Sequence, residues 1–208
     1  LTQSALAAGY ATRYDLDPAA ATLPTEFALA GHSLGANLVS AAAGFMTKNG
    51  AAKDLVGVIL LDGVPYDDTL STALTKLDAY EAATEHYVPV RQIGAPPNAF
   101  NFISTVNQTL STQRPDRFSG VVLQGGVHMD SMRGGNSLIQ FVAYLVAGIP
   151  QAQNPPATEE LAVSWLTDWF DHDTDNGDDL VRGSIIDITT PKGIAHGRVI
   201  GQPVTPVT

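Results

Sequence analysis

Residues 26–48, EFALAGHSLGANLVSAAAGFMTK, decide the fold. Glu26 to Ala30 is a short apolar run of strand length, and from Leu34 to Lys48 the residues Leu34, Leu38, Ala42, Phe45 and Met46 recur at helical spacing. Between the two stands Gly31-His32-Ser33-Leu34-Gly35, so a strand passes into a helix through a turn with a serine at its tip. A G-x-S-x-G pattern in an arbitrary turn carries little information, but between a strand and a helix it has the context that a nucleophile elbow requires. Small residues two positions either side of Ser33 allow a tight turn that lifts the hydroxyl clear of the sheet. The same turn aims the Leu34 N–H, at the helix N-terminus, toward a developing oxyanion.

Working outward from the elbow, Asn49-Gly50 stops the helix, and Leu55 to Leu61 (LVGVILL) is an uninterrupted apolar run of the kind found in parallel strands buried on both faces. Thr69 to Glu85 reads as a helix with Leu70, Leu74, Leu77 and Tyr80 on one side. Val88 to Ile93 is a further strand, closed by Gly94-Ala95-Pro96-Pro97-Asn98; a polar stretch follows, then the strand Gly120 to Leu123, the loop GGVH at 125–128 and the helix Ser137 to Ala147. Upstream, Leu1 to Gly9 reads as the end of a helix, and the stretch holding Asp15, Asp17, Pro18 and Pro24 as loop. Beyond Pro150, QAQNPPATEE reads as a linker or helix start, Glu160 to Phe170 as an amphipathic helix, and Asp171 to Asp179 as an acidic loop. Ser184 to Ile200 then alternates like a hairpin around Pro191-Lys192-Gly193. Strands alternating with helices predict an α/β fold with a mainly parallel sheet and flanking helices. Residues 1–150 form the core of that fold and 151–208 an extension of helix, acidic loop and hairpin, with no internal repeat.

Composition narrows the function classes. The chain has 208 residues, 44% of them hydrophobic and 15% charged, which suits a globular domain and excludes disorder and low-complexity classes. Its 11 Lys and Arg against 21 Asp and Glu give a net charge of −10, which repels phosphate backbones and argues against a nucleic-acid partner. No apolar run approaches the roughly 18 residues that would span a bilayer. The absence of Cys excludes disulfides, thiolate metal sites and thiol nucleophiles.

A serine hydroxyl needs a base, and the base needs a partner that fixes its tautomer. Of the five His, His32 adjoins the serine and is expected to pack or hydrogen-bond locally at the substrate end of the site. His86 precedes a strand, and His172 and His196 lie in the acidic loop and the hairpin. His128 follows the last core strand in a glycine-flanked loop at the same end of the sheet as the elbow, and is the expected base.

These residues resemble the α/β-hydrolase superfamily, in the direction of lipases, esterases and polyester hydrolases, over about Leu1 to Gly148. The resemblance implies the chain order Ser33, an acid, then His128. It commonly places the acid after the strand Val88 to Ile93, but the loop there holds Asn98 and Asn101 and no carboxylate. Some members carry it one strand earlier, where this chain has Asp62; Asp130, Asp68, Asp67 and Asp116 stay open as alternatives. The superfamily's first four strands, with the loop that donates a second oxyanion N–H beside Leu34, have no counterpart. The strand Glu26 to Ala30 would then be a bare sheet edge, and a preceding segment of the same protein is expected to cover it. The final helix and acidic stretch weakly resemble those of bacterial polyester hydrolases, which bears on substrate class only; the superfamily resemblance implies an exported bacterial enzyme.

Two weaker signals complete the reading. Carboxylates alternate along Asp171 to Asp179 as in a Ca²⁺ loop, though the glycine is displaced by one position and Arg182 stands where a bidentate Glu belongs. Val64 to Glu85 is long enough to roof the serine, with Tyr66, Leu70, Leu74, Leu77 and Tyr80 as candidates to line an acyl pocket. The function implied is hydrolysis of carboxylic esters with an apolar acyl part by Ser33, His128 and Asp62, with no cofactor. An acyltransferase using the same residues, separable by product analysis with an acceptor alcohol, and a non-catalytic binding module are the competing readings.

Overall fold

The computed structural model of the chain describes residues 3–17, 24–133 and 136–201; Leu1 and Pro18 lie outside them. After the helix α1 (Gln3–Tyr14) come β1 (Phe27–His32), α2 (Gly35–Asn49), one 3₁₀ turn (Ala51–Asp54), β2 (Leu55–Leu61), α3 (Thr69–Thr84) and β3 (Val90–Gly94). The second half runs α4 (Val106–Gln113), β4 (Gly120–Leu123), α5 (Ser137–Ala147), α6 (Asn154–Phe170), β5 (Ile185–Thr190) and β6 (Gly193–Val199). The strands form one six-stranded sheet in the order β1-β2-β3-β4-β6-β5, parallel from β1 to β4 and antiparallel across β4-β6 and β6-β5. This is an α/β architecture with a mostly parallel sheet and flanking helices. Among the described residues β1 hydrogen-bonds to β2 alone and forms one edge. No helix among them is long and apolar enough to cross a membrane.

Each consecutive parallel pair is joined by a helix, and crossovers of one hand put those helices on one face. On that face Ala36, Val39 and Ala43 of α2, Leu70, Leu74 and Leu77 of α3, and Val106 and Leu110 of α4 pack with Leu55, Val58, Leu60, Val88 and Val90. The apolar stripe of α3 is therefore core. This corrects the expectation that Leu70, Leu74 and Leu77 line an acyl pocket: each is at most 3% exposed. The opposite face is covered by α6, whose Leu161, Trp165 and Trp169 pack with Val56, Ile59, Ile93, Val121 and the hairpin residues Ile188, Ala195 and Val199. Each large aliphatic side chain so buried contributes about 1.5–3 kcal/mol. Trp169 lies flat on Gly57, where an added Cβ would stand 2.2 Å from its ring. The segment from 151 onward thus supplies the lower helix and two strands of the same sheet.

Two boundaries differ from the sequence reading for local reasons. The polar stretch after Asn98 contains α4, whose only buried residues are Val106 and Leu110, too sparse a pattern to signal a helix. The helix α6 begins at Asn154, six residues before Glu160, because Pro155 and Pro156 occupy its first turn, where the missing N–H costs nothing. The helix α5 is capped by Asn136, whose side chain accepts from the Leu138 and Ile139 N–H groups, and none of its residues is buried.

The acidic loop is held by cations of the chain itself. Arg91, 1% exposed, sits over the rings of Phe118, Trp165 and Trp169 at 4.9 to 5.6 Å, and its Nη2 donates to the Thr174 and Asn176 carbonyls. Arg117 pairs with Asp175 and Asp178, and Asn176 donates to Asp168. Of the loop's oxygens, the carboxylates of Asp175 and Asp178 and the carbonyls of Thr174 and Asn176 are in these contacts. No group of three or more acidic or His side chains converges as a metal site among the described residues.

The parallel register fixes where the chemistry can occur. His32 pairs with Leu61, Leu61 with Ile93, and Gly94 with Val122, so the four parallel strands end level with one another. The loops beginning at Ser33, Asp62, Ala95 and Gln124 leave from one edge of the sheet.

Candidate active site

The elbow forms as its residues require. Ser33 adopts φ 54°, a left-handed conformation that costs a non-glycine residue on the order of 1 kcal/mol, and the backbone around it compensates. Its N–H donates to the Leu61 carbonyl at 3.1 Å, and its own carbonyl accepts from the Ala36 N–H at 3.0 Å and the Val64 N–H at 2.9 Å. Gly31 is needed here, because a Cβ would lie 2.4 Å from the Gly35 carbonyl oxygen; a Cβ at Gly35 meets nothing within 4 Å. Gly31→Ala is therefore expected to cost about 3 kcal/mol through a clash with backbone that cannot move aside. Gly35→Ala should stay within about 0.5 kcal/mol. Denaturation midpoints of the two variants check the contrast.

Asp62 is built the same way on the next strand. It follows the buried run of β2, adopts φ 41°, and donates its N–H to the Ile93 carbonyl at 2.8 Å. The next residue, Gly63, donates to Gln92 Oε1, and its carbonyl accepts from the Ser104 hydroxyl. The carboxylate is 6% exposed and fully engaged. Oδ1 accepts the Ala95 N–H at 2.9 Å and Asn101 Nδ2 at 3.0 Å; Oδ2 accepts Asn101 Nδ2 at 3.1 Å and faces His128. Charge-assisted bonds of this kind make its burial tolerable.

His128 joins the two turns. Its Nδ1 lies 2.6 Å from Asp62 Oδ2, and its Nε2 lies 2.9 Å from Ser33 Oγ. A carboxylate can only accept, so Nδ1 carries the proton and Nε2 is left to accept from the serine hydroxyl. The ring is packed between two others, Phe100 stacked at 5.6 Å and 12°, and His32 at 4.6 Å. His32 Nε2 donates to the His128 carbonyl at 2.8 Å, and so fixes the main chain that carries the base. This is the local packing and hydrogen bonding expected of a histidine next to the serine. Burial lowers the affinity of His32 for a proton, which disfavours a positive charge beside the His128 ring.

The arrangement can deprotonate Ser33 as it attacks an electrophile, with the positive charge on His128 held against Asp62. The Leu34 N–H donates to no acceptor among the described residues and sits at the start of α2, beside the place where an oxyanion would form. Of the other acids, Asp67, Asp68 and Asp116 are exposed, and Asp130 is buried behind the site without touching His128. Tyr66 is exposed, its N–H bonded to Asn37 Oδ1 near the start of α2. Asn101 and Phe100 were not singled out by pattern. The one signal for Asn101 was its place in the loop where a carboxylate was expected, 39 residues from its partner. No protein-family model, curated protein or solved structure matches the chain.

Proposed function

We propose that this protein is a serine hydrolase of the α/β-hydrolase type that cleaves carboxylic esters with an apolar acyl part through an acyl-enzyme. The observation that carries the reading is the unbroken row from Ser33 Oγ through His128 to the Asp62 carboxylate, at 2.9 and 2.6 Å. Ser33 Oγ attacks the ester carbonyl while His128 Nε2 takes its proton. The tetrahedral intermediate collapses as His128 returns that proton to the departing alkoxide, leaving Ser33 acylated and the alcohol free. Water, deprotonated by the same nitrogen, then releases the acid and restores Ser33. The Leu34 N–H stabilises the oxyanion in both halves.

Substrate class is supported by the rim. Leu34, Tyr66, Phe102 and Ile103 are each more than half exposed, and Phe100 is 40% exposed while it stacks on the base. Such a surface around a reactive hydroxyl suits an apolar acyl or polymer chain better than a charged one. The reading is tested by incubation with a fluorophosphonate and peptide mapping. A single adduct on Ser33, blocked by prior acylation with a p-nitrophenyl ester, is expected; an unlabelled, folded protein would rule the reading out.

Asn101 is expected to matter as the holder of Asp62. Asn101→Ala removes the side-chain donor that both carboxylate oxygens share, and bonds to a charged group are worth about 1.5–3 kcal/mol. We expect kcat/KM for p-nitrophenyl butyrate to fall about ten- to a hundredfold. Initial rates at fixed pH check it.

A further inference from the structure

Asp130 is a buried carboxylate that the triad does not use. It stands two residues beyond His128 and is 6% exposed. Its Oδ2 accepts the Val127 N–H at 2.9 Å, closing the turn that carries the base, and lies 3.5 Å from Asn154 Nδ2 on α6. Its Oδ1 has no hydrogen-bond partner among the described residues, and neither has the adjoining Ser131 Oγ. Asp130 and Ser131 line a cavity of about 10 Å³ behind the triad, shared with Asp62, His128, Ala95 and Thr158 and large enough for about one water.

A charge in that place is costly, because one of its oxygens has lost water and gained nothing. Burial pushes Asp130 up to about 6, and the charge on Asp62 adds to the effect. Few cations lie near enough to offset it. The ionisable groups facing the loop are Asp62 from the end of β2 and the rings of His32 and His128; α6 offers the uncharged Asn154 and Thr158. Arg133, further along the loop, is exposed and 3.7 Å from Glu159. An asparagine would close the same turn through its carbonyl without the charge. Buried charges held at such a cost beside reactive groups are those expected to act on them.

We propose that Asp130 is a second, positioning carboxylate of this site, which holds the turn of His128 and, across the shared cavity, raises the basicity of the His128 ring. The proposal rests on the reading of Ser33, His128 and Asp62 as the reacting set. Asp62 orients the ring by direct contact; Asp130 adds negative charge behind it, favours the imidazolium, and so strengthens the pull on the Ser33 proton.

The test follows the His128 imidazole resonance by NMR titration of the whole chain, in wild type, Asp130→Asn and Asp130→Ser; the last keeps a hydroxyl to meet the Val127 N–H. In both variants the apparent pKa of His128 is expected to fall by about half a unit to one unit, a three- to tenfold loss of proton affinity. Thermal denaturation supplies a parallel readout. A folded-state pKa raised above the ordinary carboxylate value of 3.8 gives stability that is complete below that value and lost as pH rises through about 6. Asp130→Asn is therefore expected to raise Tm at pH 8 and leave it unchanged near pH 4. A raised Tm with an unmoved His128 titration would make Asp130 a turn residue only and overturn the proposal. Fluorophosphonate treatment separates the two failures. Labelled Ser33 with an unmoved titration sinks this proposal alone, whereas a moved titration without labelling sinks the reading of the site and leaves the coupling of Asp130 to His128 standing.

Discussion

Ser33→Ala is expected to lower kcat for ester hydrolysis by a factor on the order of 10⁴ to 10⁶ and to leave no site for a fluorophosphonate, while the fold stays as it is. The size follows from what the residue does. With no oxygen to acylate, His128 and Asp62 have nothing to act through, and only binding and the Leu34 N–H remain to accelerate attack by water. The fold is spared because the Ser33 turn is held by its main chain, through Leu61, Ala36 and Val64, and the hydroxyl's one partner among the described residues is His128 Nε2. Alanine pays a similar penalty at φ 54°, so the denaturation midpoint should move by less than about 1 kcal/mol in stability. Turnover of p-nitrophenyl butyrate with a matched denaturation curve checks both halves. Full activity in the variant would end the mechanism.

The second large effect is expected at Asp62→Asn, a fall in kcat on the order of 10³ to 10⁴ with KM little changed. Its cause lies in the neighbours. Oδ1 receives the Ala95 N–H and Asn101 Nδ2, both donors, so an amide at position 62 must set its carbonyl there and its NH₂ toward His128. Nδ1 of the ring then has to accept, the ring proton moves to Nε2, and the Ser33 hydroxyl loses its acceptor. The same substitution at the exposed Asp67, Asp68 or Asp116 reaches no part of this row and should leave kcat intact. Steady-state kinetics across the four variants checks the assignment of the acid.

The contrast between residues that announced themselves and residues that did not has a physical pattern. The elbow was legible because its strand, turn and helix are contiguous, and β2 because seven apolar residues in a row, all but the last buried, leave few other readings. His128 could be placed from the end of the sheet at which its strand finishes. Asp62 was harder, since any acid on that edge can reach the base in principle, and register decides which one does. Asn101 stayed hidden because its function is a bond to a residue 39 positions away, made through an amide that has no period or spacing to reveal it. The α3 stripe misled for the opposite reason: a row of leucines looks alike whether it faces an acyl chain or the neighbouring helix, and Ala36, Val39 and Val58 claimed it.

One detail of the elbow reaches beyond the reaction itself. The turn of Ser33 and the turn of Asp62 are tied to each other by main-chain bonds, Ser33 to Leu61 in one direction and Val64 to Ser33 in the other. The spacing of the two turns is therefore set by peptide groups, which a change of side chain at 33 or 64 leaves in place unless it brings in proline. Tyr66, Phe102 and Ile103 stand outside that tie, so under the proposed function the exposed rim can change its side chains while the two turns keep their spacing.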